Sequence, residues 1–511
     1  MKKRKVYLIG AGPGEASLIT LKGVRCLQSS DVIIYDHLVS GEILRHAKDT
    51  ARLIYAGKEG GKHTLSQEEI NQLLVEEAQR GQVVARLKGG DPFIFGRGGE
   101  EAQALARAGV PFDVIPGVTS AVAVPAYAGI PLTHRGYTSS VAFVTGQQDP
   151  TRNESIDWEA LSRIGTLVFL MGVKNLPHIV ANLIRYGKDA DTPAALIRWG
   201  TTADQETLTC SLKDMVEKAE ERRFLPPAIL VVGHVVGLRE ELNWFEKKPL
   251  FGKGIVITRP EAQAHEFAAL LREEGARVIP FPVIRIVPPE NLHDLDRAIE
   301  GLEKYQWIIF TSANGVDFFF ARLKEWGRDI RDLKGIRICA IGPATRARIE
   351  RLGIRVDLVP ETFISEGIVE AFAGLDVRGQ RFLLPRAEKA RDVIPQGLAK
   401  LGASVEVVTT YRTVNLGRKK EELEELIKQG KVDCVTFTSP STVTNFLEIM
   451  GRGGGGGFVL PPKIKIACIG PVTADAVRKA GLSVDILQEQ YTIPGLVEAL
   501  VDYFCKAGLS P

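Results

Sequence analysis

Short apolar runs alternate along the whole chain with stretches whose apolar residues recur at helical spacing. Residues 6–9, 32–35 and 83–87 read as short buried strands, each stopping at glycine or an acidic residue. Leu18, Leu21, Val24 and Leu27 mark one face of a helix, and 67–79 and 99–108 read as two more. Strand and helix in alternation predict an α/β chain of parallel sheets flanked by helices.

At residue 243 the pattern breaks. The segment 243–254, NWFEKKPLFGKG, has no period, and a new strand opens at 255. Beyond it the chain repeats itself: 338–372 aligns without gaps on 466–500, and IIFTSANGVDFFF from Ile308 matches VTFTSPSTVTNFL from Val435. The second half therefore contains two α/β units built on one pattern. Strands ending in FTS or IGP and opening a helix put hydroxyls and backbone N–H groups at the carboxyl edge of a sheet, where open α/β folds bind ligands. Arg259, Arg346, Arg348, Arg386, Lys389, Arg391 and Arg412 punctuate the same places, and two such edges facing across a cleft would suit a polyanion. The glycine run 453–457 reads as a flexible loop, since no GK[ST] follows it.

In the first half the chemistry concentrates at 87–101, LKGGDPFIFGRGGEE. Here a strand stops at Gly89-Gly90, Asp91 stands beside the glycines, and Phe93, Ile94 and Phe95 can wall a pocket. The turn GAGPG after strand one and Asp36 after strand two invite a dinucleotide reading, and with it a nicotinamide-dependent oxidoreductase carrying a ligand-binding module in its second half. Two residues oppose it. Glu15 replaces the third glycine where a pyrophosphate needs a helix N-terminus, and Pro13 lacks the donor a phosphate would use. The loop suits a phosphate-free ligand. Asp36 by itself also fits a turn cap, and Lys58 and His63 a solvated loop.

Composition narrows the class. A chain of 511 residues has room for two to four domains, and a net charge of +3 points to no nucleic-acid partner. Six cysteines lie far apart with no CxxC pair, so neither a disulfide framework nor a metal site is expected, and a reducing cytoplasm fits best. The basic start, MKKRKVYLIG, is followed by an apolar run too short for a signal peptide, and no stretch approaches membrane-spanning length.

The ordered motifs GAGPG, YDHLVS, GKEGGKH, LKGGDPFIFGRGGEE, PGVTSA and YAGIPLTHR, continuing through TLVFLMG and WGTT, resemble the uroporphyrinogen-III C-methyltransferases of the precorrin methyltransferase superfamily. The resemblance covers 1–247 and implies a two-lobed tetrapyrrole methyltransferase fold. It further implies S-adenosylmethionine lying against Pro13, Gly89, Gly90, Asp91, Ile94, Thr119, Ser120, Met171 and Gly200, with Asp36 as proton acceptor and Lys58 as proton donor. A homodimer through this half is also implied. From 253 to 511 the chain resembles uroporphyrinogen-III synthase, a match carried by the paired FTS and IGP strand ends and Tyr411. That implies lobes of about 253–287 with 415–511, and 290–412, with Tyr411 as a candidate acid. Arg259, Ser312, Ser439 and Thr473 are the substrate contacts it suggests, with no cofactor. Together the halves would cyclise hydroxymethylbilane to uroporphyrinogen III with inversion of ring D, then methylate it twice to precorrin-2, on the cobalamin or sirohaem branch.

Overall fold

The computed structural model describes residues 4–507 apart from 58–64, 147–155, 416–419 and 452–459. The chain divides into two compact units, Met1–Ile255 with Ala269–Val278 and Leu500–Pro511, and Val256–Ala268 with Ile279–Ala499. The architecture is the α/β one expected.

The first sheet contains β1 (Lys5–Gly10), β2 (Val32–Tyr35), β3 (Arg52–Tyr55), β4 (Val83–Lys88) and β5 (Phe112–Ile115), in the order β3-β2-β4-β1-β5. All its pairings are parallel. Period-two alternation sends Val6, Leu8, Val32, Ile34 and Val84 to one core and Ile9, Ile33, Ala85 and Leu87 to the other, so both faces are covered. Where the sequence suggested one helix through Leu18 and Leu27, a short 3-10 turn (Ala16–Leu18) precedes a helix from Leu21 to Ser29. Thr20 divides them, because its hydroxyl accepts from Gly23 N at 3.1 Å and caps a new helix.

The second sheet is mixed. It holds β6 (Val141–Thr145), β7 (Thr166–Leu170), β8 (Pro193–Arg198), β9 (Glu206–Ser211) and β10 (Ala228–Val232), ordered β6-β7-β10-β8-β9. Only β6 and β7 run parallel among its pairs. Leu167, Phe169, Leu230 and Val232 face one core, and Val168, Leu170, Ile229 and Val231 the other.

After β10 the chain does not run free. Phe245 is 5% exposed, its ring 4.8 Å from that of Tyr127, and Trp244 Nε1 donates to Ala126 O at 3.0 Å. Glu246 accepts from Gln205 at 2.8 Å, from Thr207 at 2.6 Å and from Arg239. The absence of period at 243–246 hides an aromatic and ionic clasp.

Two further sheets follow, formed from β11 (Gly254–Ile257), β12 (Arg277–Pro280), β13 (Ile284–Val287), β14 (Trp307–Phe310), β15 (Arg337–Ala340), β16 (Arg381–Ala387), β17 (Ser404–Asn415), β18 (Cys434–Phe437), β19 (Lys465–Cys468) and β20 (Ile486–Leu487). One is ordered β12-β11-β18-β19-β20, the other β13-β17-β16-β14-β15. In the latter β13 pairs antiparallel with β17 and the rest are parallel. Each repeat places a serine after its FTS strand and a Gly-Pro after its IGP strand. Ser312 and Ser439 cap the helices Ala313–Glu325 and Pro440–Met450, while Gly342 and Gly470 precede helices that open on proline.

Candidate active sites

Three loops meet at the carboxyl edge of the first sheet. Ala11 N donates to Lys88 O at 2.7 Å, and Gly12 and Gly90 exchange backbone hydrogen bonds of 3.2 and 2.7 Å. A Cβ on Gly10 would stand 2.5 Å from Gly117 Cα, so the GAGPG and PGVTSA loops pack backbone on backbone. Gly90 has φ +70°, and a Cβ there would meet no protein atom closer than Ser120 N at 3.7 Å. Open space lies beyond it.

That space is a cavity of about 730 Å³. Pro13, Gly89, Gly90, Asp91, Ile94, Thr119, Ser120, Met171 and Gly200 all line it, together with Asp36. The structure thus brings together ten of the residues singled out in the first half. Lys58, with Lys62 and His63, lies outside the described residues. Four non-glycine residues at or beside the cavity have left-handed backbones: Phe95 (φ 51°), Met171 (φ 56°), Trp199 (φ 47°) and Thr201 (φ 71°). Each costs on the order of 1–3 kcal/mol, and such strain gathers where a ligand is held.

Asp91 does not present a free acceptor, as its position beside two glycines suggested. Its Oδ1 accepts from Phe93 N (2.8 Å) and Ile94 N (3.2 Å), and Oδ2 from Gly117 N (3.0 Å). The carboxylate shapes the loops. Asp36 has two roles at once: Oδ1 accepts from Leu38 N at 3.2 Å, the turn cap, and Oδ2 lies 3.4 Å from Arg86 Nη2. Arg86 is buried behind Asp36, and its Nε donates to Glu101 Oε1 at 3.1 Å, so it is not a surface contact for a substrate carboxylate. The same oxygen receives Lys88 Nζ at 2.7 Å.

A phosphate-free zwitterion fits these walls: close backbone from Gly89 and Gly90, an apolar bed from Ile94, Val124 and Ile197, and hydroxyls from Thr119 and Ser120. Glu15 caps its own 3-10 turn by accepting from Ser17 N at 3.1 Å, leaving negative charge where a pyrophosphate would need donors.

In the second unit Tyr411 Oη lies 3.0 Å from Ser312 Oγ, with its ring stacked on Phe318 at 5.9 Å. Ser312 Oγ also accepts from Gly315 N at 3.0 Å. Ser439 follows β18, its hydroxyl 3.0 Å from that of Ser441. Thr473, 3% exposed, lies in the first turn of the helix Pro471–Lys479 after β19, and Arg259 follows β11. Those three belong to strand ends of one sheet, Tyr411 and Ser312 to the other. Most of the expected basic cluster is engaged elsewhere. Arg346 pairs with Glu350, Arg348 with Asp317, Arg386 with Asp392, Arg391 with Glu366 and Arg412 with Glu290. Arg259 differs in its lack of a carboxylate partner within salt-bridge distance among the described residues: its Nε is buried without a hydrogen bond, as is that of Arg412, its Nη2 reaches Gln263 only at 3.4 Å, and burial lowers its pKa from the ordinary arginine value.

Comparison with known proteins finds two families along the chain. Residues 5–216 match the tetrapyrrole (corrin/porphyrin) methylases, and 265–498 match uroporphyrinogen-III synthase HemD. A porphyrin biosynthesis protein HemD from Ruminiclostridium josui is 37% identical over 97% of this chain and 97% of its own. The chain belongs to this family of fused tetrapyrrole methylase and uroporphyrinogen-III synthase. An S-adenosyl-L-methionine-dependent uroporphyrinogen III methyltransferase from Methanosarcina barkeri is 52% identical over 47% of this chain and 94% of its own. A uroporphyrin-III C-methyltransferase from Thermus thermophilus, solved with S-adenyl homocysteine, is 39% identical, covering 46% of this chain and 99% of its own with a TM-score of 0.40.

The fused methylase and synthase is thus a bifunctional enzyme of tetrapyrrole biosynthesis, and its first half belongs to an S-adenosylmethionine-dependent methyltransferase family. That membership sets aside the nicotinamide oxidoreductase. In the methylase half, sequence reasoning missed His37, Leu38, Trp199 and Lys88, all on the cavity, whereas Phe95 lines it as the apolar triplet suggested. For Lys88 a signal existed: two cations, Arg86 and Lys88, close an otherwise apolar strand and require a buried acid nearby. That acid is Glu101, 0% exposed. Among the described residues no group of His, Cys, Asp or Glu is placed to hold a metal ion, and no helix is long and apolar enough to cross a membrane.

Proposed function

We propose that residues 253–511 close hydroxymethylbilane to uroporphyrinogen III with inversion of ring D and loss of water, without a cofactor, and that residues 1–247 then methylate this product twice to precorrin-2. The observation that carries the reading is the gathering of Asp36 and the nine candidate cofactor contacts on one cavity. S-adenosylmethionine would supply the methyl groups. Gly89, Gly90, Thr119, Ser120, Met171 and Gly200 would hold it, and alignment of the reacting atoms would provide most of the acceleration, up to roughly 7–11 kcal/mol in well-oriented systems. A methylated pyrrole carbon leaves a cationic ring that must shed a proton, and Asp36 would take it.

In the second half the Tyr411 phenol would protonate the departing hydroxyl, and the half-buried Arg259 guanidinium would meet a substrate carboxylate. Ser312, Ser439 and Thr473 would supply further contacts at the strand ends. The homodimer through the first half and the cytoplasmic setting belong to the same reading. The deciding experiment is an isomer-resolved product assay on hydroxymethylbilane with and without S-adenosylmethionine. Type III uroporphyrinogen without the methyl donor and precorrin-2 with it are expected; the type I isomer alone would overturn the synthase assignment, and unmethylated product the methyltransferase one.

A further inference from the structure

The repeat of 338–372 and 466–500 holds in the structure as well as in the sequence. Asp357 and Asp485, which it pairs, accept from its two first residues, Ile338 N at 2.7 Å and Ile466 N at 2.9 Å. The same alignment pairs Phe363 with Tyr491. Both are large rings left in the open, Phe363 55% and Tyr491 58% exposed. Each is seated on a glycine. A Cβ on Gly342 would stand 3.2 Å from Phe363 Cβ, and one on Gly470 3.1 Å from Tyr491 Cδ1, closer than ordinary van der Waals contact. Gly342 and Gly470 have extended backbones, φ −173° and −174°, that any residue adopts. It is therefore the seated rings, and not the chain path, that require glycine at these two positions.

The seats lie beside the candidate substrate contacts of this half. Phe310 and Ala340 are register partners in β14 and β15, so Ser312 and Gly342, each two residues further on, leave the sheet side by side. Phe437 and Cys468 are partners in β18 and β19, which places Ser439 beside Gly470 in the same way. Thr473 follows Gly470 within the first helical turn, and Thr345 repeats it after Gly342. Tyr491 has a left-handed backbone (φ 52°), a strain of the kind that gathers where ligands are held, whereas Phe363 reaches its seat without one. A ring on a glycine with more than half its surface still open has the form of a stacking platform, and this chain carries two.

We propose that Phe363 and Tyr491 are substrate-binding residues, each laying its open surface against one pyrrole ring of the linear tetrapyrrole. This rests on the synthase reading of residues 253–511. Both rings belong to the second compact unit. The tetrapyrrole turns freely about the single carbons that join its rings. Hydroxyls at Ser312, Ser439 and Thr473 can meet its polar groups but cannot fix the tilt of a pyrrole; an aromatic ring can, by offset stacking or edge-to-face contact. A platform grips the rings before and during closure alike, so its loss shows in KM rather than kcat.

The test uses the full chain and hydroxymethylbilane, with the type III isomer resolved from type I. Phe363→Leu and Tyr491→Leu keep apolar bulk and remove the flat ring. Each should raise KM about 10-fold with kcat nearly unchanged, and the double variant should raise it about 100-fold. Phe363→Tyr and Tyr491→Phe keep a ring and should stay near wild type. Thermal melts of all these variants should match wild type. Leucine variants with unchanged KM make the rings covers for Gly342 and Gly470 and overturn the proposal, most directly if their melting falls instead. A double variant no worse than either single one does the same, because the two rings then do not hold one molecule. Tyr491→Phe as weak as Tyr491→Leu also overturns it, since the hydroxyl and not the ring would then be what binds. Wild-type protein that yields the type I isomer alone removes the synthase reading and the platforms with it, an outcome seen before any variant is compared.

Discussion

The hydroxyls of Tyr411 on β17 and Ser312 at the end of β14 lie 3.0 Å apart. Because Ser312 Oγ already accepts from Gly315 N, the serine holds the phenol from a fixed point on its own helix. Tyr411→Phe should lower formation of the type III isomer by about 100-fold, the size of a lost general acid. Ser312→Ala should lower it less, since the phenol remains. Equal rates for Tyr411→Phe and wild type in an isomer-resolved assay would take the phenol out of the chemistry.

Asp36→Asn should leave S-adenosylhomocysteine binding near normal and reduce methylation by two or more orders of magnitude, as for a lost base. The amide can still accept from Leu38 N, so the turn should survive. Calorimetry and product analysis on the same sample separate the two effects.

Gly90→Val should abolish cofactor binding. The left-handed backbone at φ +70° costs a side chain about 1–2 kcal/mol, and the new atoms would stand in the cavity. Unchanged affinity by calorimetry would mean that the ligand does not pass this loop.

Phe245→Ala should destabilise the methylase unit by about 3 kcal/mol, the loss expected for a buried phenylalanine. A fragment ending at 248 keeps the clasp of Trp244, Phe245 and Glu246, and one ending at 242 loses it. Thermal melts should rank the first well above the second; equal melting would make the clasp incidental. Residues 249–511 alone, without cofactor, should still yield type III uroporphyrinogen.

Thiol labelling of the native protein should modify Cys505 quickly and the others slowly, because Cys505 is the exposed one of six free cysteines. Burial pushes Cys339 and Cys468 up to about 12, which suppresses the reactive thiolate. Rapid loss of Cys468 in a mass-resolved time course would show that its sheet opens readily.

The strands of the first half were legible because each is a short apolar run closed by glycine or charge: 32–35 is reproduced, and 6–9 and 83–87 each end within a residue of the observed strand. The helix Gln67–Gln79 was equally clear, its start marked by the Ser66–Glu69 capping box. The Thr20 break was not, because apolar spacing carries through a cap. Asp91 was legible as a residue beside the ligand loop, yet its three backbone donors come from two separate loops and follow only from folding. Paired arginines in the second half misled for a similar reason. Their acids lie as little as four and as many as 122 residues away, as in Arg346–Glu350 and Arg412–Glu290, and charge composition cannot tell an engaged guanidinium from a free one.

The repeat aligns Ser312 with Ser439, but their hydroxyls have different neighbours, Tyr411 in one case and Ser441 in the other. Duplication supplied two matching frames, and among the described residues only the first has a phenol on the serine hydroxyl. A linear tetrapyrrole has a head and a tail, and a perfectly two-fold surface would accept it in either direction. On the proposed reading the unequal pair would supply polarity: a repeated scaffold that could nevertheless tell the two ends of a chain apart.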